Sequence, residues 1–144
     1  MSFTNTVQKY SPLVLRLGMS AVFLYFGISQ LRNPQSFVGW LPPEVSLIPI
    51  SPVTFVILNG VFETIFATLL AIGLFSRVSA LLLGLHLLGI TYTIGYTEVG
   101  VRDFGLAIAS LACAMSGPGP WAIDSSQDLD TAGESNDKNK EQRN

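Results

Sequence analysis

A few polar side chains interrupt the long apolar stretches of this sequence, and they are the residues that could do chemistry. Glu63 is the only formally charged residue in residues 53–75, and His86 lies near the middle of residues 78–97. A carboxyl group and an imidazole can exchange protons and can bond a polar ligand. The predicted buried polar cluster, a candidate ligand site, comprises Arg16, Asn59, Glu63, His86, Arg102 and Asp103.

Glu63 and His86 each have a structural and a functional interpretation. Glu63 could form an ion pair, or a hydrogen bond to Asn59 or His86, that only stabilises the fold. It could also relay protons or contact a ligand. His86 could be a neutral, packed histidine bonded to a backbone carbonyl. A lone histidine is poor evidence for a metal or haem, which needs further ligands, so no metal site is expected.

The charged residues nearer the ends of the apolar stretches also have simpler interpretations. Arg16 could extend its guanidinium to the lipid headgroups. Arg102 and Asp103 could be no more than the first turn of a helix, where a negative charge is favourable. Cys113 is the only cysteine, so the chain can form neither an internal disulfide nor a CxxC redox pair. Without a recognisable nucleophile or nucleotide-binding loop, catalysis by this chain alone is not expected.

The elements that position these residues are predicted to be membrane-spanning helices. Hydrophobic residues make up 49% of the chain and charged residues 12%, and about 20 apolar residues cross the hydrocarbon core of a bilayer. The fold class is therefore all-α, an integral membrane four-helix bundle in residues 1–124, with a disordered polar tail in residues 125–144. Pro12 is expected to open the first helix, and Ser76 and Arg77 to form the turn between the second and third. The predicted spans are 13–31, 53–75, 78–97 and 99–116.

Each span places its polar residues on one stripe with small residues, as membrane helices do where they pack together. The stripes predict that the six candidate residues turn inward, with Glu63 and His86 at nearly the same depth. A polar track across much of the membrane would then be feasible. The stripes are Arg16, Ser20, Phe23, Gly27 and Gln30; Asn59, Gly60, Glu63, Ala67 and Ala71; Ser79, Leu83, His86, Gly89 and Thr93; and Arg102, Gly105, Ala109, Ala112, Cys113 and Ser116.

The distribution of positive charge predicts the orientation. Four spans place both termini on one side, and that side carries more Lys and Arg than the other, which favours cytoplasmic termini in a plasma-membrane protein. The partner is the lipid bilayer. A net charge of −2, without a basic patch, argues against a nucleic-acid partner. The sequence leaves open whether the chain forms a homo-oligomer.

Several short motifs, in order, resemble the DoxX family of small bacterial and archaeal membrane proteins. They are RLG at 16–18, NGVFE at 59–63, GLFSR at 73–77, VRDFGLA at 101–107 and SGPGPWAID at 116–124. The resemblance covers residues 13–124 and implies a four-span bundle. Some members of the family are named as subunits of a thiosulfate:quinone oxidoreductase, so the resemblance also implies a quinone as a cofactor and redox-complex proteins as partners.

Three hypotheses about function follow from these observations. The first is an accessory or anchor subunit of a quinone-linked redox complex, with a quinone headgroup held near Arg102 or Glu63. The second is a non-catalytic membrane scaffold in which all these residues are structural. The third is a small proton-coupled carrier that uses a polar track through Glu63 and His86.

Overall fold

The computed structural model describes residues 3–124, and within that range every regular element is a helix. This confirms the all-α fold class. The predicted disordered tail, residues 125–144, lies outside the described residues. The helices are α1 (Phe3–Arg32), α2 (Gln35–Val38), a short 3₁₀ helix (Pro43–Leu47), α3 (Pro52–Ile72), α4 (Ser76–Ile94) and α5 (Glu98–Ser116).

Four of these helices are long and apolar enough to cross a membrane, as the sequence predicted, and their ends differ from those of the predicted spans. The spanning segments are Val7–Arg32, Pro52–Ile72, Ser76–Ile94 and Glu98–Ser116. The start of α1 and the end of α5 lie at the same end of the bundle, where Tyr10 packs against Trp121, and this end is called the terminal side below. The opposite side carries residues 33–51, which connect α1 to α3, and is called the loop side.

The first helix starts earlier than the sequence predicted, because Pro12 lies inside α1 instead of opening it. Proline removes one intrahelical hydrogen bond, here to the carbonyl of Gln8. Gln8 is exposed, in a part of the helix where water can bond that carbonyl. The proline therefore does not end the helix.

The turn between α3 and α4 also differs from the prediction: it is formed by Gly73–Phe75, and Ser76 and Arg77 already belong to α4. Gly73 adopts φ 77°, a left-handed conformation in which glycine commonly ends a helix. The backbone N–H of Leu74 then bonds the carbonyl of Leu69 at 3.0 Å. This hydrogen bond reverses the chain within three residues, so α3 and α4 are antiparallel neighbours.

The bundle consists mainly of two closely packed helix pairs, α1 with α3 and α4 with α5, joined by contacts between α3 and α4. In the first pair the backbones meet at Gly27 and Gly60, where an added Cβ on Gly60 would lie 2.9 Å from the Gly27 carbonyl oxygen. Small residues allow this approach. The middle of the bundle is filled by completely buried apolar side chains, Ala67, Leu70, Ala80, Leu83 and Ala107.

The predicted inward stripe is confirmed on α1, where all five of its residues are buried, and largely on α3. On α4 the stripe is largely confirmed, since Ser79 and Leu83 are buried and His86, Gly89 and Thr93 line a cavity inside the bundle. On α5 the prediction was wrong in phase: Arg102, Gly105, Ala112 and Ser116 are exposed. The buried residues of the two helices are Ser76, Ser79, Ala80, Leu83, Gly84 and Leu87 on α4, and Gly100, Asp103, Ala107, Ser110 and Cys113 on α5. Lipid-facing and core-facing sides of a membrane helix are both apolar, so periodicity alone does not set the phase.

Candidate functional site

A cavity of about 560 Å³ lies between the two helix pairs, in the half of the bundle toward the loop side. Its walls are largely apolar and aromatic, and the segment Phe37–Pro42 borders it at the loop side. Cavities of this size with a few convergent polar groups are the usual form of a small-molecule site. The polar and charged residues that line it are Gln30, Asn59, Glu63, His86, Thr93, Arg102 and Asp103.

Glu63 is held by two amide side chains, so its carboxylate is buried but hydrogen-bonded. Gln30 Nε2 donates to Glu63 Oε2 at 2.9 Å, and Asn59 Nδ2 donates to Glu63 Oε1 at 3.1 Å. Asn59 Nδ2 also donates to Gln30 Oε1 at 2.7 Å. Gln30 lies one turn beyond Gly27 on α1, so the close approach of α1 and α3 brings these three side chains together.

His86 faces the same carboxylate from α4. Its Nε2 lies 3.7 Å from Glu63 Oε1, and this buried nitrogen has no hydrogen-bond partner. The ring packs at 4.8 Å from the ring of Phe62. The structure therefore agrees with the expectation that Glu63 and His86 lie at the same depth. A ligand oxygen in the cavity could bond the free imidazole nitrogen beside the carboxylate.

Arg102 and Asp103 form an ion pair on the α5 wall of the cavity. Arg102 Nη2 lies 2.8 Å from Asp103 Oδ1, and Nε donates to the same oxygen at 2.9 Å. Asp103 is buried, whereas the Arg102 side chain is 51% exposed. The guanidinium also lies 5.3 Å from the centre of the Phe26 ring, within the range of a cation–π contact. The pair places a guanidinium in the cavity wall, with its charge balanced by Asp103.

Arg16 is buried, as the stripe predicted, but the structure does not bring it to the other five residues. It precedes Gln30 by fourteen positions on α1, which corresponds to about 21 Å along the helix. The apolar core side chains of α3, α4 and α5 fill the bundle between them. Within the described residues, the titratable and charged groups therefore do not form the continuous track that the sequence made feasible; the polar side chains buried between them include the serines Ser20, Ser79 and Ser110.

The terminal side has its own polar contacts, formed where residues 117–124 fold back over the helix ends. Arg16 Nη1 donates to the carbonyl of Pro118 at 3.0 Å. Asp124 accepts from the backbone N–H groups of Phe75 at 2.9 Å and Ser76 at 2.6 Å, at the start of α4. Asp124 thus caps α4 from a distant part of the chain, and this segment covers the terminal end of the bundle.

Two residues with clear structural roles, Gln30 and Asp124, were missed as site residues from the sequence. Gln30 did lie on the inward stripe of the first span, and this was the one signal for it. The sequence gives a weaker signal for Asp124. The side chain that caps a helix usually belongs to an adjacent residue, whereas Asp124 is 48 positions from Ser76. Among the described residues, no group of three His, Cys, Asp or Glu side chains is arranged to hold a metal ion.

The cap at Asp124 predicts an acid-sensitive stability. Burial raises the pKa of this carboxyl, but hydrogen bonds from Ser76 and Phe75 and the charge of Arg16 lower it more, so its pKa lies below the ordinary 3.8. The stabilisation is present above pH 3.8 and is lost as the pH falls through the lower folded-state pKa. Asp124→Ala should lower stability by about 0.5–2 kcal/mol at neutral pH, measured by thermal unfolding in detergent.

Asp124→Asn is the matched control, because it keeps one acceptor oxygen but cannot titrate. Its unfolding temperature should be higher than that of Asp124→Ala, and it should lack the fall in stability that the parent shows at acid pH. An Asp124→Ala variant with an unchanged unfolding temperature would show that α4 needs no cap from this residue.

The family model described as DoxX matches residues 11–95, which is more than half of the chain. The match contains α3 and α4 with Asn59, Glu63 and His86, and it ends before α5 and its Arg102–Asp103 pair. No curated protein and no solved structure matches the chain.

Proposed function

This chain belongs to the DoxX family, and from that premise we propose that it is the membrane anchor subunit of a quinone-linked redox complex whose cavity holds a quinone headgroup. The observation that carries the proposal is the cavity itself, which combines aromatic walls with polar groups gathered at one place. We further propose that the complex lies in the plasma membrane with the termini in the cytoplasm.

The chemistry of the lining fits a quinone. A quinone headgroup is a flat, apolar ring with oxygen atoms that accept hydrogen bonds, and it exchanges protons when it exchanges electrons. Phe26 and Trp40 offer aromatic surface for the ring. His86 Nε2, which has no hydrogen-bond partner, and the Arg102 guanidinium can donate to its oxygens. Glu63 and His86 can hold and pass protons beside it.

The electrons must come from another protein in this proposal. The chain has one cysteine, Cys113, which is buried in the core, and a single thiol cannot cycle as a disulfide within the chain. The role of the anchor is then to hold a redox partner at the membrane beside the bound quinone. Isolation of the tagged protein in mild detergent should recover such a partner, and recovery of the protein always alone would contradict the anchor role.

A scaffold without a ligand is the second candidate, and one observation favours it. The Glu63 carboxylate already accepts hydrogen bonds from Gln30 and Asn59, as a group that only ties α1 to α3 would. In that case the cavity would hold lipid chains, and the partner proteins would bind regardless of quinone.

Tryptophan fluorescence separates the two candidates, because the two tryptophans of the chain lie at different places. Trp40 lines the cavity, whereas Trp121 packs against Tyr10 at the terminal side. Trp121→Phe leaves Trp40 as the only reporter. A short-tailed ubiquinone or menaquinone analogue should quench its emission saturably in detergent or nanodiscs.

Trp40→Phe is the matched control, since it leaves only Trp121, and its quenching should stay linear with quinone concentration. Equal, unsaturable quenching in both variants would show that the cavity does not bind the quinone. Loss of saturation in His86→Ala, combined with Trp121→Phe, would support the proposed donor to the ring oxygen.

A further inference from the structure

The cavity reaches the loop side of the bundle but not the terminal side. Its lining runs from Phe37–Pro42, in the loop between α1 and α3, down to Glu63 and His86. Beyond these two residues the bundle is filled by buried side chains, which are the apolar core together with Ser20, Ser79 and Ser110. At the far end, residues 117–124 cover the helix ends, with Pro118 bonded to the buried Arg16. The half of the bundle toward the loop side thus contains the cavity. The other half is closed by the buried core and again by residues 117–124.

We propose that the cavity is a one-sided chamber, in which Glu63 and His86 exchange water and protons with the loop side of the membrane only. The closure toward the terminal side results from the packing of the buried core and does not depend on a ligand. Its meaning for quinone chemistry rests on the proposed function, since protons taken up or released by a bound quinone would then be exchanged with a single side.

The charged groups around Glu63 support this direction of exchange. The residues that face it are Gln30 from α1, Asn59 from α3 and His86 from α4, while Arg102 and Asp103 line the same cavity from α5. Of these, Arg102 is half exposed and lies in the second turn of α5, toward the loop side. Toward the terminal side, the next described side chains with a titratable or charged group are Cys113 and Arg16, beyond the apolar core.

The same closure argues against the proton-coupled carrier. A carrier must expose its site to both sides of the membrane in turn. Here the closed half is held by the core cluster, to which all four long helices contribute, and by the bond of Arg16 on α1 to Pro118 after α5, so these contacts join the two pairs that would have to separate.

Cysteine labelling from each side of the membrane tests the proposal, and the chain offers a cavity reporter that should not disturb it. Gly89 lines the cavity, and a Cβ added there would meet nothing within 4 Å. The variant Cys113→Ala with Gly89→Cys carries one cysteine, three residues from His86. A charged, membrane-impermeant maleimide should label it from the loop side of sealed vesicles and not from the terminal side.

Two further single cysteines identify the sides in the same vesicles. Tyr96→Cys, at a position 98% exposed in the connection between α4 and α5, reports the loop side. Lys9→Cys, at an exposed position near the start of α1, reports the terminal side. The native Cys113, buried in the closed half, is the control for the seal and should remain unlabelled from both sides.

The labelling pattern decides the proposal. Labelling of Gly89→Cys from the side that labels Lys9→Cys, from both sides or from neither would overturn the one-sided chamber, as would labelling of native Cys113 from the terminal side. Trp40 quenching by the quinone analogue, measured on the same variant, tests the proposed function separately. Loop-side labelling without quenching would support the one-sided chamber and contradict quinone binding. Quenching with labelling from both sides would support quinone binding and contradict the one-sided chamber.

Discussion

Glu63→Ala is expected to lower the unfolding temperature of the protein strongly. The substitution leaves Gln30 Nε2 without its acceptor and removes one of the two acceptors of Asn59 Nδ2, which keeps its bond to Gln30 Oε1. A buried polar group left unpaired costs roughly 1–3 kcal/mol. It also removes the carboxylate that faces His86. Since Gln30 and Asn59 link α1 to α3, the loss acts on the contact between two helices. Thermal unfolding in detergent, followed by size-exclusion chromatography, measures it.

Glu63→Gln is the matched variant, and it should be much less destabilising. It keeps the size of the side chain and one acceptor oxygen, but an amide cannot bind and release a proton in the ordinary pH range. It should therefore fold, and it should lose the part of any pH dependence of Trp40 quenching by the quinone analogue that comes from Glu63. Ile65→Ala, at a half-exposed position on the same helix, controls for truncation as such. If Glu63→Ala unfolds at the same temperature as Ile65→Ala, the hydrogen-bonded carboxylate does not stabilise the bundle.

The second large effect is expected from Gly60→Val, at the closest approach of α1 and α3. A Cβ on Gly60 would lie 2.9 Å from the Gly27 carbonyl oxygen and 3.0 Å from Gln30 Cβ. The first of these is backbone and cannot move without the whole helix. Overpacking of a close contact costs about 1–3 kcal/mol and occasionally more. The helices must separate, which also moves Gln30 away from Glu63.

Gly18→Val is the control for this prediction, because Gly18 lies on α1 with nothing within 4 Å of an added Cβ. It should unfold near the temperature of the parent and retain quinone quenching of Trp40. Gly60→Val should lose both the stability and the saturable quenching. A Gly60→Val protein with the stability of Gly18→Val would show that α1 and α3 do not depend on this contact.

Much of the architecture was determined by the sequence alone, because crossing a bilayer imposes a length and an apolar composition that can be read directly. The burial of Glu63 was predicted from the apolar residues 53–75, and the four spans from this stretch and the three other apolar stretches. The common depth of Glu63 and His86 followed from the fixed rise of a helix and from the antiparallel connection between neighbouring spans. The motifs that resemble DoxX predicted the family, and the match of the family model to residues 11–95 confirms it.

The tertiary structure alone decided which of the polar residues meet. Gln30 reaches Glu63 across 33 positions of sequence, and Asp124 reaches Ser76 across 48. Arg16 was predicted to join the cluster but lies at the other end of the bundle, with the apolar core between. The phase of α5 was misjudged for a physical reason: in a membrane the lipid-facing side is as apolar as the core, so only the packing of one helix on another selects the buried face. That packing also opens the cavity toward one side and fills the other half, which no spacing along the chain could indicate.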